Sequence, residues 1–236
     1  DQNLILIDEA PVYNSAHALG FFSVFNPDAV KNVKLVKGGI PAEYGGRLSS
    51  LLDVRLRDGN SKQFEMNGGV GQLFSRLSLQ APLKKDKSSF IIAARRSYID
   101  LFFPLLGENF ENTSIFFYDL TAKLNYTINK NNKIFLSGYF GRDNIALDVF
   151  GFNWGNATAT FRWNHLFNDQ LFLNTTLFYS NYDYRLGVPN DTDGFDWKAN
   201  IVNYSFKPEF TYFANANNTI NFGGQAILYQ FRPGTA

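Results

Sequence analysis

Cysteine is absent from the 236-residue sequence, which excludes disulfides and thiolate metal sites. Histidine is almost absent: His17 and His165 are the two in the chain, and neither stands at a spacing typical of a catalytic triad or of a metal site. We therefore predict no catalytic residue, no metal site and no cofactor, and we do not expect an enzyme.

Charge is also scarce. Asp, Glu, Lys and Arg make up 18% of the residues, below the usual quarter, and the net formal charge is +1. Nucleic-acid binding requires a clustered basic face, so a nucleic-acid partner is not expected. Long apolar runs are missing too, since no stretch approaches the ~18 uncharged apolar residues of a transmembrane helix.

Aromatic residues are abundant instead, at 17% of the chain, with 25 Phe and 12 Tyr. The mean hydropathy of -0.20 resembles that of a soluble protein. An outer-membrane barrel also averages near neutral, because lipid-facing apolar residues and lumen-facing polar residues alternate along each strand. Low charge with many aromatics therefore favours a membrane barrel over a soluble core.

An alternation with a period of two residues starts at residue 62 and is clearest from Tyr118 to Ile128. One face of this segment is apolar, with Tyr118, Leu120, Ala122, Leu124, Tyr126 and Ile128. The other face is polar, with Asp119, Thr121, Lys123, Asn125 and Thr127. The period recurs in later segments, and many exceed both the ~9–11 residues that cross a bilayer and the ~5–6 of a soluble strand.

The connections between these segments alternate between short and long. Outer-membrane barrels place short turns in the periplasm and long loops outside, and this order requires a tight turn at residues 71–73. We predict about nine antiparallel strands, at residues 62–71, 74–82, 88–100, 115–129, 133–146, 155–167, 170–184, 197–214 and 218–231. Pro208 lacks an N–H group, so we expect a bulge there.

The first 58 residues have a different, mixed α/β character. Residues 4–7 form an apolar run that predicts a strand. Residues 33–36 and 51–57 predict a second and a third strand, the last with Leu52, Val54 and Leu56 on one face. Asn26-Pro27-Asp28 is typical of a helix start, which predicts a short helix at residues 27–32.

Four glycines lie between the second and third of these strands. Gly38, Gly39, Gly45 and Gly46 allow tight turns and close backbone approach. No Gly-Lys-Ser/Thr follows them, which argues against a phosphate cradle. We interpret them as turn glycines that pack this region against a barrel wall.

Three segments carry a family resemblance: LILIDEAPVY at residues 4–13, NPDAV at 26–30 and VKLVKGGIPAEYGG at 33–46. In this order they resemble the second half of the plug of TonB-dependent outer-membrane receptors. The longer run GGIPAEYGGRLSSLLDVRLRDG is most similar to receptors from Bacteroidota. The chain departs from the family pattern at Glu9, where Gly is usual, and at Lys34 and Lys37, where a Glu and an Arg usually help to hold the plug by ion pairing.

The resemblance implies that residues 1–58 are the C-terminal part of a plug domain. Residues 62–236 would then be the N-terminal part of a transmembrane β-barrel, about nine of about twenty-two strands, so we expect more strands downstream. Implied partners are TonB, through a segment upstream of residue 1, outer-membrane lipid, and a small-molecule or oligomeric ligand. A surface lipoprotein is a further partner that the family allows. The implied location is the outer membrane of a Gram-negative cell.

The resemblance also places one loop at the plug apex, facing incoming ligand. This loop contains Tyr13, Asn14, His17, Phe21 and Phe22. One hypothesis is that these residues contact the ligand, whose class stays open between siderophore, vitamin, glycan and peptide. The alternative is a loop packed on the barrel wall.

Two other interpretations of the whole chain are kept. A soluble or surface-attached all-β module could recognise glycan, in which case Phe161, Trp163, Phe206 and Phe210 should pack in a dry core. An outer-membrane channel or enzyme of another family would leave the ordered plug motifs unexplained.

Overall fold

A computed structural model describes residues 3–107, 113–147, 150–188 and 194–234. Within these ranges the chain forms the strands β1 Asn3–Ile7, β2 Ala10–Pro11, β3 Ala16–His17, β4 Phe22–Ser23, β5 Val30–Val36, β6 Ser50–Leu56, β7 Glu65–Val70, β8 Phe74–Lys84, β9 Ser88–Ser97, β10 Ser114–Asn129, β11 Asn132–Ala146, β12 Gly151–Asn168, β13 Leu171–Val188, β14 Phe195–Asn215, β15 Asn218–Gly223 and β16 Ala226–Arg232. Short 3-10 helices occupy Ala18–Gly20 and Ile99–Leu106.

A small sheet with the strand order β2-β1-β6-β5 contains the first part of the chain. Strand β1 runs parallel to β6, from Asn3 opposite Ser50 to Ile7 opposite Val54, and β5 is antiparallel to β6. Leu51, Val54 and Leu56 are buried, while Leu52 is only partly buried. Neighbouring side chains of a strand point to opposite faces, so both faces of β6 are covered, in contrast to the single apolar face that we predicted.

The helix predicted at residues 27–32 is not formed. Asn26 does cap a turn, since its side-chain Oδ1 accepts the Asp28 N–H at 3.0 Å. Its backbone carbonyl accepts the N–H groups of Ala29 (3.0 Å) and Val30 (3.2 Å). Strand β5 then begins at Val30, which pairs with Leu56. One hydrogen-bonded turn is an unfavourable helix nucleus, and pairing with β6 satisfies the backbone instead. Among residues 3–56 the one helical element is the 3-10 segment Ala18–Gly20, so this region consists almost entirely of strands and loops.

Strands β7 to β15 form an antiparallel meander in which each strand pairs with the next, and β16 pairs with β14 beside β15. The tight turn predicted at residues 71–73 is present, with Gly71 N–H donating to the Phe74 carbonyl at 3.0 Å. The strand predicted at 218–231 is split into β15 and β16. The described residues thus form a partial antiparallel β-barrel, as predicted.

Pro208 explains the split, and the bulge predicted there is wrong. Pro208 faces Thr175 of β13 with no shift of register. On its other side its carbonyl accepts the Gly224 N–H at 3.2 Å. The N–H and C=O of one residue in an antiparallel strand point to the same neighbour, so the N–H that proline lacks would have faced this point. The ladder is interrupted at residues 224–225 instead of bulging.

The large sheet formed by β7 to β16 has the opposite polarity to a sheet of a soluble protein, because its buried face is polar and its exposed face is apolar. The face over the small sheet is buried and mostly polar, with Thr121, Lys123, Asn125, Thr160 and Thr176 among its residues. The opposite face is apolar and exposed: Phe161 is 37% and Phe206 49% accessible, and Trp163 and Phe210 are partly exposed. The dry core required by the soluble-module hypothesis is therefore not formed.

The apolar outward face has the height of a bilayer. Outward positions 157–167 of β12 span about 33 Å of strand, which is about 25 Å across a membrane at a tilt of ~40°. No helix in the described part of the chain is long and apolar enough to cross a membrane.

The two ends of the sheet differ. One end of the large sheet, which forms the wall of the partial barrel, has the short turns between β8 and β9, β10 and β11, β12 and β13, and β14 and β15. The small sheet joins the wall at this end, where the Ser89 hydroxyl donates to the Gly59 carbonyl at 2.6 Å. Longer connections lie at the other end, where the loop at residues 13–24 contacts Phe117 and Asp143. This loop is thus at the end predicted to face outward.

Neighbouring positions on opposite faces provide a direct test of this polarity. We expect nitroxide labels on Phe161→Cys and Phe206→Cys to be accessible to oxygen and lipid, and labels on Thr160→Cys and Ser205→Cys to be inaccessible to both. The measurement is power-saturation electron paramagnetic resonance on the protein reconstituted in lipid vesicles. The same accessibility at both members of a pair would contradict the assigned faces.

Candidate functional site

The loop at residues 13–24 is a narrow, strained projection. Strands β3 and β4 form its stem, and the Val24 N–H donates to the Ser15 carbonyl at 3.1 Å. At its tip three successive residues have positive φ, Ala18 (49°), Leu19 (57°) and Gly20 (110°). Two of these are not glycine, an uncommon arrangement that costs about 1–2 kcal/mol for each residue. The tip presents large apolar groups, since Leu19 is 70% and Phe21 is 84% exposed.

His17 anchors the stem of this loop to the wall. Its ring is 1% exposed and stacks on Phe117 with the ring centroids 4.5 Å apart. Nδ1 lies 2.6 Å from Oδ2 of Asp143, and Oδ1 of the same carboxylate accepts the Ala18 N–H at 2.7 Å. Nε2 lies 3.2 Å from the Tyr139 hydroxyl. Both ring nitrogens are therefore engaged by the wall.

A second carboxylate completes the cluster around His17. Asp119 Oδ2 lies 3.4 Å from His17 Nε2 and 2.7 Å from Arg95 Nη2. The same Arg95 nitrogen donates to the Ser23 carbonyl at 2.8 Å, which ties the far side of the loop to the wall. Gly141 is required beside this cluster, because a Cβ there would overlap the Tyr139 hydroxyl and approach the His17 ring at 3.1 Å.

The electrostatics favour a charged His17. Burial acts to lower the pKa of His17, but the hydrogen bonds to Asp119 and Asp143 and their negative charges outweigh it, so its pKa is raised above 6.5. A protonated ring can donate through both nitrogens, which suits the carboxylates on its two sides. Below its raised pKa, His17 is therefore a cationic link between the loop and the wall.

The other predicted contact residues are also turned toward the wall, with one exception. Asn203 donates to the Tyr13 hydroxyl at 2.5 Å, and Asn156 donates to the Asn14 carbonyl at 2.9 Å. The Phe22 ring packs edge-on against Phe74, with ring centroids 5.6 Å apart.

His17 is buried and both of its ring nitrogens are bonded, which favours the alternative of a loop packed on the wall. Contact of these residues with a ligand stays a prediction. Tyr13, Asn14 and Phe22 are half-buried contacts of the wall, and Phe21 alone of the five is exposed. Leu19 was missed by the sequence-based prediction. The signal that could have indicated it is the pair of large apolar residues that flank Gly20, a residue typical of a turn.

A second anchor follows strand β1, at Asp8. Asp8 Oδ1 accepts the Leu56 N–H at 2.9 Å within the small sheet. Its other oxygen lies 3.2 Å from the Lys123 ammonium, which also donates to the Leu56 carbonyl at 2.8 Å. Lys123 projects from β10 and is buried. A lysine of the wall is thus neutralised by the small sheet.

Glu9 extends this anchor across the lumen. It is buried, accepts a hydrogen bond from Arg55 at 2.8 Å and another from the Thr176 hydroxyl at 3.0 Å, and lies 3.7 Å from Arg162 and 3.9 Å from Lys207. Burial acts to raise the pKa of Glu9, but the surrounding cations outweigh it and its pKa is lowered. Glu9 has φ 78°, which explains why glycine is usual at this position in the family that the chain resembles.

The four predicted turn glycines lie in the segment between β5 and β6. Gly39 (φ 59°) and Gly46 (φ 84°) need the conformational freedom of glycine, whereas Gly38 and Gly45 do not have positive φ. An added Cβ would contact the Tyr229 hydroxyl from Gly46 at 3.9 Å and nothing from the other three. Among the described residues, Gly46 is thus the one of the four that lies against the wall, and the packing of Gly38, Gly39 and Gly45 stays a prediction.

The fold has relatives among solved structures. A mutant of the ferric enterobactin receptor PfeA from Pseudomonas aeruginosa matches with a TM-score of 0.68 at 11% identity, over 98% of this chain and 41% of the receptor. The FrpB iron transporter from Neisseria meningitidis matches with a TM-score of 0.71 at 12% identity, over 98% and 42%. The copper transporter OprC matches with a TM-score of 0.69 at 11% identity, over 96% and 37%. No protein-family model and no curated protein matches the sequence.

These matches show a shared fold. The chain has the fold of these receptors and transporters, a small sheet inside a partial antiparallel β-barrel, and it spans about two fifths of the length of these structures. The resemblance to TonB-dependent receptors is thereby confirmed at the level of the fold. The similarity to Bacteroidota receptors stays a prediction.

Removing the buried lysine tests the second anchor. Lys123→Met should lower the free energy of unfolding by about 3–5 kcal/mol, because it leaves Asp8 buried and uncompensated. The control is Lys133→Met, which removes a half-exposed lysine 3.5 Å from Asp58 and should cost less than about 1 kcal/mol. Denaturant unfolding in detergent measures both, and equal losses would contradict the assigned role of Lys123.

The first anchor should depend on pH. The folded-state pKa of His17 is raised, so its contribution is fully present below the ordinary value of 6.5 and is lost as the pH rises through the raised value. Hydrogen exchange of the amides at residues 13–24, corrected for the intrinsic rate, should accelerate as the pH rises from 6.5 through the raised pKa of His17. The step should be absent in His17→Phe. A step that persists in this variant would assign the titration to another group.

Proposed function

We propose that this chain is part of an outer-membrane import receptor of a Gram-negative bacterium. In this proposal residues 1–58 are the C-terminal part of the plug, and residues 62–236 are the N-terminal part of the transmembrane barrel. The observation that carries it is the polarity of the wall. Its apolar face points outward over the height of a bilayer, and its polar face is buried against a small sheet.

The proposed mechanism begins at the tip of the loop. A ligand that enters from the end with the long connections first meets Leu19 and Phe21, which are exposed above a buried base. The ligand is a small molecule or oligomer of the siderophore, vitamin, glycan or peptide class. The iron and copper receptors and transporters with the same fold support metal complexes among these classes.

Transport then requires the plug to move. The pairs Asp8–Lys123 and His17–Asp143 hold the plug to the wall, and breaking a buried pair costs several kcal/mol. Thermal motion seldom supplies this energy, so the proposal includes an external energy source. TonB is the proposed source, acting on a segment upstream of residue 1, from which strand β1 leads directly to Asp8.

Uptake measurements test the proposal. Deletion of the complete gene should abolish uptake of one member of a panel of ferric siderophores, vitamin B12, oligosaccharides and oligopeptides, and removal of TonB should abolish the same uptake. Unchanged uptake of the whole panel, or recovery of the protein in the soluble fraction, would refute the proposal.

Residue Phe21 provides the matching site test. Phe21→Ala should weaken binding of the identified panel member about tenfold, because it removes most of an exposed apolar contact worth about 1.5 kcal/mol. Leu48→Ala is the control. Leu48 is about as exposed as Phe21, but it lies between β5 and β6, outside the loop. Binding is measured on purified protein by titration calorimetry, and equal affinity of the wild type and Phe21→Ala would remove Phe21 from the site.

A further inference from the structure

Three polar side chains form a line across neighbouring strands on the inner face of the wall. Arg162 of β12 pairs with Thr176 of β13, and Thr176 pairs with Lys207 of β14. Thr176 and Lys207 are buried, and Arg162 is partly buried. A guanidinium, a hydroxyl and an ammonium side by side supply hydrogen-bond donors that suit an oxyanion. We call these three residues the donor row.

The carboxylate of Glu9 occupies the donor row. The Thr176 hydroxyl donates to Glu9 Oε2 at 3.0 Å, and the Lys207 ammonium lies 3.9 Å from the same oxygen. Arg162 Nη1 lies 3.7 Å from Glu9 Oε1. Glu9 belongs to the turn between β1 and β2, where Arg55 of the small sheet donates to it at 2.8 Å. The donor row is thus an oxyanion site that a side chain of the same chain fills.

The fit between Glu9 and the donor row is incomplete. Charge-assisted N–H···O bonds are about 2.7–2.9 Å long, so the distances from Glu9 to Arg162 and Lys207 exceed direct contact. Arg162 Nε is buried and has no hydrogen-bond partner among the described residues. Glu9 is also the one carboxylate within 4 Å of Arg162 in the described part of the chain. Donors of the row therefore remain available to another anion.

The wall around the donor row depends on carboxylates from the first 58 residues. Four cations project from the wall in this region: Lys123, Lys133, Arg162 and Lys207. Three carboxylates from the first 58 residues lie within 4 Å of them: Asp8, Glu9 and Asp58. Among the described residues, Glu209 is the one wall carboxylate within this distance. Displacement of the first 58 residues would therefore leave the wall with a surplus of positive charge.

The donor row lies deeper in the lumen than the His17 cluster. Strand β11 carries Tyr139 of that cluster, and Phe135, which pairs with Arg162, is four residues closer to the short turns. The free space beside Glu9 is about 50 Å³, which has room for a few water molecules. A ligand that moves inward from the tip of the loop would meet the donor row after the His17 cluster, and only after Glu9 has moved.

We propose that the donor row is a transit site for an oxyanion of the imported ligand, either a carboxylate or a phosphate group, and that Glu9 fills this site until the plug moves. The inference rests on the proposed function and narrows the ligand to molecules that carry such a group. When the turn at Glu9 leaves with the plug, the oxyanion of the ligand replaces its carboxylate on the row. This exchange keeps the buried cations paired, which avoids the cost of an uncompensated buried charge.

Chemical rescue of a Glu9 variant tests the site on the complete protein purified in detergent. Glu9→Gly should keep the backbone of the turn, because φ at this position is 78°, and it should leave the donor row unoccupied. Acetate and inorganic phosphate, compared with sodium chloride at equal ionic strength, should then bind the row. Each should raise the melting temperature of this variant by about 2–4 °C at about ten times its dissociation constant. Neither should raise that of the wild type, whose row is filled.

Matched variants locate the effect. Glu9→Gln fills the same space without the charge and should show no rescue, whereas a general salt effect would appear in it as well. Addition of Arg162→Gln and Lys207→Gln to Glu9→Gly should abolish the rescue. Addition of Lys133→Gln instead, which removes a half-exposed lysine outside the row, should preserve it. If Glu9→Gly folds only when acetate or phosphate is present, this dependence is itself the expected rescue.

Uptake distinguishes an oxyanion of the ligand from a free anion. The double variant Arg162→Gln, Lys207→Gln should slow uptake of the identified panel member about tenfold, because it removes charge-assisted contacts on the route. Its binding to purified protein, measured by calorimetry, should be unchanged, since the loop tip precedes the row.

Absence of rescue in Glu9→Gly, equal rescue in Glu9→Gln, or rescue that persists without Arg162 and Lys207 would overturn the site. Unchanged uptake by the double variant, or a panel member without a carboxylate or phosphate, would overturn the transit role and leave a site for free anions. The proposed function fails separately, if deletion of the gene leaves uptake of the whole panel unchanged or if the protein is in the soluble fraction. The rescue experiment gives its result in either case.

Discussion

Charge placed inside a narrow lumen must be compensated there, because a lone buried charge costs several kcal/mol. The wall directs Lys123 inward, and Asp8 of the small sheet meets it. In return the loop at residues 13–24 directs His17 outward, and Asp119 and Asp143 of the wall meet it. Each component is therefore incomplete without the other, and the position of the small sheet within the barrel is set by two clusters at different heights of the lumen.

Much of the architecture could be predicted from local pattern, because strand alternation is a property of neighbouring residues. The faces of β10 and the turn at residues 71–73 were predicted correctly for this reason. The turn at Asn26 could not be distinguished from a helix start, since both use the same capping residue. We predicted a bulge at Pro208 instead of the interruption at residues 224–225. The sequence does not show with which neighbouring strand each backbone N–H and C=O group pairs.

The site was harder to predict than the fold. His17 is bonded to Asp143 and Tyr139, which are 126 and 122 positions away in sequence, so no local pattern indicates that it is buried. The same holds for Glu9, whose partner Thr176 is 167 positions away. Its departure from the usual glycine nevertheless marked the position as unusual. In the structure Glu9 has a positive φ, and its carboxylate lies within 4 Å of three basic side chains, those of Arg55, Arg162 and Lys207.

The tip of the loop has a further consequence for how such a protein can diversify. The anchoring contacts of the loop run from Tyr13 to Ala18 and resume at Phe22, and the side chains of Leu19 and Phe21 between them extend into solvent. Substitutions at these two positions can change shape and chemistry at the surface without altering the seating of the loop. New surface chemistry can therefore arise at the tip by single mutations, while inheritance of the clusters below preserves the seating of the loop.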